Sequence, residues 1–189
     1  MTRLGLIRHG TTDWNAENRL QGHASVSLNE TGRLQAHAIA ERLRGQPWDV
    51  LYTSDLPRAT ETAEIIARAT RLSVLTDPRL REMDCGEVEG TTASERLAKW
   101  GEHWKALPLG METRTSIERR GSAFIASVLA VHAGSRILVV SHGVLLRLTL
   151  QHLIPHADSS ERLRNGSLTQ LAYQDDRWEC TLYNCVDHL

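Results

Sequence analysis

Residues Leu4–Gly10, LGLIRHG, decide the fold of this chain: a short apolar run passes directly into an Arg-His-Gly sequence. The same arrangement returns at Ile137–Gly143, ILVVSHG, near the other end of the chain. Short continuous apolar runs are typical of β-strands that are covered on both faces. We therefore predict two buried strands, each of which ends at a histidine that is followed by a glycine.

Further strands and helices alternate between and beyond these two segments. Apolar runs at Val50–Tyr52 and Val74–Leu75 predict two more strands. Apolar residues recur at helical spacing in five stretches, marked by Leu34, Ala38, Ile39 and Leu43; by Ala59, Ala63 and Ile66; by Leu97, Trp100 and Trp104; by Ile117, Gly121, Phe124, Ile125, Val128 and Leu129; and by Val144–Leu153. Such alternation favours parallel strands joined by right-handed crossovers. The predicted fold class is therefore α/β, with three α/β/α layers around a mostly parallel sheet.

The C-terminal part of the chain departs from this alternation. Leu168–Tyr173 and Trp178–Tyr183 flank the polar turn Gln174–Arg177, which is typical of an antiparallel hairpin appended to the sheet. No linker or internal repeat divides the sequence, so we predict a single domain over residues 1–189. The least regular stretch, at about residues 87–115, is expected to be a short cap inserted over the pocket.

Composition restricts the class of protein more than it restricts the activity. The chain has 189 residues, of which 24% are charged, and a formal net charge of −1. The net charge therefore produces no strong electrostatic field that would favour nucleic acid or an anionic membrane as a partner. No apolar run is long enough to span a bilayer, and because Met1–Arg3 lead straight into the first predicted strand, we expect no signal peptide. The three cysteines are odd in number and lack CxxC spacing, so we expect a cytoplasmic protein with reduced thiols.

Residues suited to handling phosphate lie just past the ends of the four predicted strands. Arg8 and His9 follow the first strand, and Arg58 follows the second. Glu82 follows the third strand, and His142 follows the fourth. Open α/β sheets bind ligands at the carboxyl ends of their strands, near the point where strand order reverses. We therefore expect these five side chains to converge on one pocket, where the set fits phosphoryl transfer through a phosphohistidine.

Each of these residue types matches a part that such a transfer needs. His9 is expected to be the nucleophile, because an imidazole held in one tautomer presents a free nitrogen. Arg8 and Arg58 are expected to bind phosphate oxygens and to supply positive charge. His142 is expected to donate to a non-bridging oxygen. Glu82 is expected to protonate the leaving alcohol and then to deprotonate the attacking water.

Other charged residues have simpler interpretations. Surface salt bridges are the expected role of several further arginines, including Arg42, Arg68 and Arg162. The acids near Glu82, which are Asp84, Glu87 and Glu89, are expected to be solvated. None of the nine histidines forms a convincing HxH or HxxxH metal site, so no metal is predicted. There is no GxxxxGK[ST] loop, which disfavours nucleotide hydrolysis of the P-loop kind.

Longer motifs around these residues carry a resemblance to a known family. They are LIRHGTTDWN at Leu6–Asn15, RLQG at Arg19–Gly22, LNETG at Leu28–Gly32, SDLPRATET at Ser54–Thr62, LRE at Leu80–Glu82 with GEVEG at Gly86–Gly90, SHG at Ser141–Gly143, and NCVDHL at Asn184–Leu189. On these motifs the chain resembles the histidine phosphatase superfamily, in its phosphoglycerate-mutase-like branch, over nearly its whole length. Two positions depart from the family pattern: Thr11 stands where glutamate is frequent, and Gly110–Thr113 stands where a GGES-like turn is frequent.

The resemblance implies a role for each matching position. It makes His9 the nucleophile, Glu82 the proton donor, and Arg8, Arg58 and His142 the catalytic groups around the phosphate. The substrate-binding residues that it implies are Arg8, Asn15, Gln21, Gly22, Arg58, His142 and Gly143. It also implies a phosphoglycerate-mutase-like fold, a small-molecule phosphomonoester as the partner, and no cofactor.

The choice between phosphatase and mutase is the main alternative. Mutases of this superfamily carry a longer insertion after the glutamate, whereas one short and one long predicted helix fill the chain between Glu82 and His142. The resemblance therefore implies a cofactor-independent phosphatase, similar to α-ribazole phosphatase and PhoE-like phosphatases. Mutase-type transfer, a phosphohistidine-protein phosphatase and a phosphate-binding module without turnover are the alternatives.

The sequence pattern is shared by phosphatases of several substrates and does not select one of them. A homodimer is compatible with the sequence. The cap is expected to set specificity for a monophosphate with some apolar or amphipathic character. Trp100 and Trp104 are candidates to face the pocket. Docking of the short helix on the body is the alternative for both rings, and it is the favoured role for Trp104. Cations at the rim of the pocket are expected from Lys99, Lys105 and Arg114.

Overall fold

The computed structural model describes residues 1–155 and 161–189, which form one mixed β-sheet with helices on both faces. The strands are β1 Thr2–Arg8, β2 Val50–Thr53, β3 Val74–Thr76, β4 Arg136–Ser141, β5 Leu168–Gln174 and β6 Arg177–Cys185. The α-helices are α1 Asp13–Ala16, α2 Glu30–Leu43, α3 Pro57–Thr70, α4 Ala93–Trp100, α5 Arg114–Val131 and α6 Gly143–Leu153. Short 3₁₀ turns lie at Pro78–Leu80, Gly86–Val88 and Trp104–Ala106.

The strand order explains why distant segments of the chain meet at one edge. The order is β3-β2-β4-β1-β5-β6, in which β1, β4, β2 and β3 are parallel and the β5–β6 hairpin is antiparallel. Arg8 pairs in register with Ser141, so β1 and β4 end side by side at the centre of the sheet. The predicted mostly parallel sheet with an antiparallel C-terminal hairpin is confirmed.

Side-chain alternation along the strands divides the core into two apolar clusters. On β4, Ile137 and Val139 face one side of the sheet and pack with α5 and α6, whereas Leu138 and Val140 face the other side and pack with α2 and α3. All four side chains are at most 1% exposed. The predicted three-layer α/β/α arrangement is therefore confirmed. Within residues 1–155 and 161–189, no helix is both long and apolar enough to cross a membrane.

The structure differs from the sequence-based helices in two places. Leu34 is 65% exposed, because α2 buries the face that carries Gly32, Ala36 and Ile39. Helix α4 ends at Trp100, so Trp104 lies outside it in a separate 3₁₀ turn. Gly101 causes this break with a φ of +76°, a conformation that favours glycine.

Glu82 is also further from its strand than the sequence predicts. Strand β3 ends at Thr76, and the Asp77 side chain accepts the N–H of Arg79 to start the 3₁₀ turn Pro78–Leu80. Proline cannot donate a ladder hydrogen bond, so the strand does not continue through this segment. The turn carries the chain across the end of the sheet and brings Glu82 to the start of α6 instead.

Candidate active site

A cavity of about 410 Å³ lies at the carboxyl ends of the central strands. It is lined by Arg8, His9, Asn15, Arg19, Leu20, Gln21, Gly22, Arg58, Glu82, Met83, Cys85, Gly143, Val144, Arg147 and Arg162. The sequence-predicted residue missing from this lining is His142, which is fully buried with its ring centroid 5.1 Å from that of His9. The structure thus brings all the predicted site residues to one place.

Hydrogen bonds fix the ring of His9 in one tautomer. Its Nδ1 lies 2.7 Å from the Gly10 carbonyl oxygen, an acceptor, so the proton is assigned to Nδ1 and the lone pair to Nε2. The Gly10 N–H donates to Thr62 Oγ1 at 3.2 Å, and the His9 N–H donates to the Ser141 carbonyl at 3.0 Å. An imidazole held in this way presents Nε2 as a nucleophile.

Both buried histidines are neutral at physiological pH. Burial lowers the pKa of His9 well below 6.5, and the charges of Arg58 and Arg8 lower it further. Burial, with the charge of Arg58 next in size, likewise holds the pKa of His142 well below 6.5. A neutral imidazole is the form that attacks phosphorus.

The two predicted arginines are buried cations that are only partly paired. Arg8 donates from Nη1 to the Leu163 carbonyl at 2.6 Å. Arg58 donates from Nη2 to the Gly22 carbonyl at 2.8 Å and from Nη1 to the Ala24 carbonyl at 3.1 Å. Burial lowers the pKa of each guanidinium to about 10, so both remain charged at neutral pH.

Several buried polar atoms of the site have no partner among the described residues. They are Nε of Arg8, Nε of Arg58, and both ring nitrogens of His142. Buried donors and acceptors in native proteins are nearly always paired, so atoms left unpaired in a cavity indicate a polar ligand. Two guanidinium donors beside an imidazole match the oxygens of a phosphoryl group.

Gly143 allows the guanidinium group of Arg8 to lie against the start of α6. A Cβ atom at this position would lie 3.3 Å from Nε of Arg8 and 3.4 Å from its Cζ. Such contacts are tighter than van der Waals packing readily allows. The glycine therefore keeps the Arg8 guanidinium and the N-terminus of α6 together at the edge of the cavity.

The Glu82 carboxylate is held by the main-chain N–H group of the next residue and by two N–H groups at the start of α6. It accepts from Met83 at 2.9 Å, from Val144 at 3.2 Å and from Leu145 at 3.3 Å. Helix N-termini stabilise negative charge through these unpaired N–H groups. The contact orients the carboxylate in the cavity that also contains His9 and Arg8.

The main chain at Glu82 is fixed from behind by Arg120 of α5. Arg120 donates from Nη2 to the Glu82 carbonyl at 3.0 Å, and from Nη1 to the carbonyls of Arg79 and Arg81. Its Nε and Nη2 also bind the Glu112 carboxylate, each at 2.9 Å. Glu112 belongs to the Gly110–Thr113 turn, so this turn does contribute to the position of Glu82.

The remaining predicted binding residues lie on loops beside the phosphate-handling groups. Gln21 lines the cavity, and its buried Oε1 has no partner among the described residues. Gly22 has a φ of +48°, and a Cβ there would come within 2.4 Å of Glu89 Oε2. Asn15 caps α1 with Thr12, and its Oδ1 accepts from Asn165 Nδ2 at 3.2 Å.

Asn165 is a site residue that the sequence interpretation missed. Its Nδ2 also donates to the His9 carbonyl at 3.0 Å and lies 3.3 Å from the Gly10 carbonyl, the acceptor of the His9 ring. The signal that could have identified it is topological. Because β5 runs antiparallel to β1, the residues just before β5 must lie at the same edge as His9.

The C-terminal motif supports the same loop. His188 Nε2 lies 2.9 Å from the Gly166 carbonyl, and Asn184 Oδ1 accepts the Arg164 N–H at 2.8 Å. Arg42 contacts His188 Nδ1 and Cys185 Sγ, both at 3.1 Å, instead of forming the predicted salt bridge. Asn184 and His188 of the C-terminal motif therefore hydrogen-bond to the two neighbours of Asn165, Arg164 and Gly166, and hold this loop in place.

The 87–115 segment packs beside the cavity and contributes none of the described residues that line it. Trp100 and Trp104 pack on the apolar cluster of Cys85, Val88 and Leu109. The predicted rim cations have other partners, since Lys99 lies over the Trp100 ring, Lys105 over the Trp104 ring, and Arg114 pairs with Glu118. Besides Arg8 and Arg58, the arginines that line the cavity are Arg19, Arg147 and Arg162. Arg162, for which a surface salt bridge was predicted, is exposed and lines this cavity as well.

Within the described part of the chain, no cluster of three or more His, Cys, Asp or Glu side chains is arranged to hold a metal ion.

The buried neutral histidines predict a loss of stability at acid pH. In the unfolded chain His9 and His142 take up protons near pH 6.5, whereas in the folded protein their lowered pKa values keep them neutral. The unfolded state then binds more protons, so stability is full above about pH 6.5 and is lost as the pH falls below it. Each histidine contributes up to about 1.4 kcal/mol per pH unit. Urea unfolding between pH 7 and pH 5 measures this slope.

A single variant isolates the contribution of one histidine to this slope. His142→Asn should make the pH dependence shallower, whereas replacement of the exposed His37 by asparagine should leave it unchanged. An equally steep slope in His142→Asn would show that this histidine is not held neutral.

Comparisons with known proteins agree with this geometry. The model of the histidine phosphatase superfamily (branch 1) matches residues 4–186. "Probable phosphoglycerate mutase GpmB" of Yersinia enterocolitica is 41% identical, over 94% of this chain and 88% of its own length. A mycobacterial glucosyl-3-phosphoglycerate phosphatase in complex with VO3 has a TM-score of 0.86 at 30% identity, covering 97% of this chain and 99% of its own. Phosphoserine phosphatase of Entamoeba histolytica, in complex with 3-phosphoglyceric acid, has a TM-score of 0.84 at 26% identity, covering 100% and 99%.

Proposed function

This chain belongs to the histidine phosphatase superfamily and is an enzyme that acts as a phosphatase, and we propose that it hydrolyses phosphomonoesters through a phosphohistidine at His9. One observation carries the assignment of roles. A neutral imidazole with a free Nε2 lies beside buried nitrogens of Arg8, Arg58 and His142 that have no hydrogen-bond partner among residues 1–155 and 161–189. A phosphoryl group supplies the acceptors that these nitrogens lack.

In the first step, Nε2 of His9 attacks phosphorus as the bond to the alcohol oxygen breaks. Glu82 gives its proton to that oxygen, so the alcohol leaves uncharged. Arg8 and Arg58 bind the equatorial oxygens, where negative charge is spread in the transition state, and His142 donates to one of them. The proton on Nδ1 stays with His9 and is stabilised by the Gly10 carbonyl once the imidazole is phosphorylated.

In the second step, water attacks phosphorus from the side that the alcohol has left. Glu82, now a carboxylate, takes a proton from this water as the bond between Nε2 and phosphorus breaks. Inorganic phosphate leaves, and His9 returns to its neutral form. The main-chain N–H groups of Val144 and Leu145 stabilise the carboxylate between the two steps.

Phosphate release from a panel of phosphomonoesters tests this proposal. The panel consists of α-ribazole phosphate, phosphoserine, 3-phosphoglycerate, sugar phosphates, nucleotides and p-nitrophenyl phosphate. We expect turnover to survive EDTA, because two arginines supply the positive charge at the phosphoryl group. We also expect inhibition by vanadate, which mimics five-coordinate phosphorus. Turnover that disappears in EDTA and returns with a divalent ion would contradict the proposed mechanism.

Mutase-type transfer is the second candidate, because the Yersinia relative is named as a probable phosphoglycerate mutase. Its steps would share the phosphohistidine but return the phosphoryl group to a second hydroxyl. Isomerisation of 3-phosphoglycerate, measured beside phosphate release, separates the two candidates. Isomerisation that is faster than hydrolysis of every ester in the panel would favour the mutase.

A further inference from the structure

We propose that Glu89 is a positioning residue for the phosphoryl site: its carboxylate holds the loop Gln21–Ala24 so that main-chain carbonyl groups of this loop orient Arg58. The inference rests on the proposed function, in which Arg58 binds phosphoryl oxygens. Glu89 belongs to the GEVEG motif at Gly86–Gly90, and it takes no part in either reaction step.

The Glu89 carboxylate is half-buried and binds the main chain of this loop, although the sequence predicted a solvated side chain. Its Oε2 accepts the N–H of His23 at 2.7 Å and the N–H of Ala24 at 3.1 Å. Successive N–H groups that converge on one oxygen form a nest, a backbone arrangement that binds anions. The carboxylate therefore fixes the orientation of two consecutive peptide groups.

One of these peptide groups, between Gly22 and His23, connects Glu89 to Arg58. Its N–H donates to the carboxylate, and its carbonyl accepts from Arg58 Nη2 at 2.8 Å. The N–H and C=O of a planar trans peptide point in opposite directions, so the carboxylate and the guanidinium bind opposite sides of one rigid unit. The Ala24 carbonyl accepts from Arg58 Nη1 at 3.1 Å. Rotation of the loop away from Glu89 would therefore move both acceptors of Arg58.

The two carbonyl groups fix the Arg58 guanidinium and leave part of it for a ligand. A guanidinium has five N–H donors and these bonds use two, so three remain for phosphoryl oxygens. The Nε donor is among the three, and it has no partner in the described part of the chain. Burial lowers the pKa of Arg58 to about 10, and the charges of Glu82 and then of Glu89 oppose this shift. Glu89 thus supports both the orientation and the charge of this cation.

Contacts on either side keep Glu89 next to the loop. The Gly90 N–H donates to the Leu20 carbonyl at 2.8 Å, and the Leu20 N–H donates to the Thr91 carbonyl at 3.1 Å. A Cβ atom at Gly22 would collide with Glu89 Oε2, so the absence of a side chain there permits the close approach. The segment that follows Glu89 and the segment that precedes Gly22 are therefore held in register.

A double-mutant cycle on Glu89 and Arg58 tests the positioning role. The cycle measures kcat/KM for phosphate release from p-nitrophenyl phosphate, whose leaving group needs no proton, so changes at Glu82 have little influence. We expect Glu89→Ala to lower kcat/KM by about tenfold to 100-fold, the effect of a lost charge-assisted hydrogen bond. In an Arg58→Ala background the same substitution should lower it by less than about twofold, because the residue through which Glu89 acts is absent.

Further variants separate the orientation of Arg58 from general damage to the fold. Glu89→Gln keeps an oxygen for the N–H groups of His23 and Ala24, so its kcat/KM should stay within about threefold of the native value. Glu87→Ala removes a nearby exposed carboxylate and should leave kcat/KM unchanged. Urea unfolding establishes that each variant is folded. If Glu89→Ala is not, Glu89→Asp, which withdraws the carboxylate by one methylene, replaces it in the cycle with the same expected pattern.

The pattern of losses separates this inference from the phosphatase assignment. Equal losses from Glu89→Ala in the native and Arg58→Ala backgrounds, or a native kcat/KM in Glu89→Ala, would overturn the positioning role while leaving hydrolysis intact. If the native protein hydrolyses no ester, the phosphatase proposal fails, and calorimetry with vanadate supplies the same cycle. Glu89→Ala should then weaken vanadate binding only when Arg58 is present, and equal weakening in both backgrounds would refute the role.

Discussion

Replacement of His9 by alanine is expected to lower kcat for every phosphomonoester by at least about 1,000-fold, because the nucleophile is removed while the binding groups remain. The neighbouring cations do not compensate for the loss. Arg8 and Arg58 stabilise charge, but a protonated guanidinium carries no nucleophilic lone pair. The ring centroid of His142 lies 5.1 Å from that of His9, so His142 does not occupy the position of the nucleophile. Single-turnover kinetics measure the loss directly, since they exclude slow product release.

The exposed His37 on α2 provides a matched control for this variant. His37→Ala should retain native kcat, and both variants should unfold cooperatively at neutral pH. If His9→Ala turned over substrate at the native rate, His9 would not be the nucleophile, and the reaction would use another residue or no covalent intermediate.

Replacement of Glu82 by glutamine is expected to slow alkyl phosphates by about 100-fold to 10,000-fold, the usual range for a lost general acid. Aryl esters such as p-nitrophenyl phosphate should lose much less in the first step, because nitrophenolate leaves without a proton. The amide of glutamine has nearly the same shape as the carboxyl group and retains one oxygen for the N–H groups of Val144 and Leu145. The difference between the two ester classes therefore reports proton transfer rather than damage to the loop.

Single-turnover measurements on both ester classes give this difference without interference from the second step. Glu87→Gln is the matched control, since Glu87 is a nearby exposed carboxylate. It should leave both rates unchanged. Equal losses for alkyl and aryl esters in Glu82→Gln would refute the role of general acid.

The central part of the fold could be predicted because its signals are local. The runs that end at His9 and His142 are apolar throughout, and their strands are buried on both faces at the centre of the sheet. Once the strands were assigned as parallel, the carboxyl-edge rule was enough to bring Arg8, Arg58 and the two histidines together. The spacing of apolar residues did not predict which face of a helix is buried when tertiary packing determines that face. Leu34 has helical spacing with the other apolar residues but lies on the exposed face of α2.

The supporting residues could not be predicted because they act through the main chain of other segments. Arg120 binds three carbonyl groups around Glu82, and Asn165 binds the carbonyls of His9 and Gly10. Every residue type has a main-chain carbonyl, so the sequence does not indicate which carbonyl accepts a hydrogen bond, and these contacts are seen only in the three-dimensional structure. Arg162 was missed for a similar reason: its place in the cavity depends on where the chain passes after α6, which composition does not reveal.

Trapping the phosphoenzyme tests the central claim most directly. The native enzyme is mixed with a radiolabelled phosphomonoester, quenched within one turnover, and the labelled protein is digested and sequenced by mass spectrometry. The structure predicts a phosphoryl group on His9, stable in base and labile in acid, that is absent from His9→Ala. A label on serine, or rapid turnover with no label on any residue, would contradict a covalent mechanism at His9.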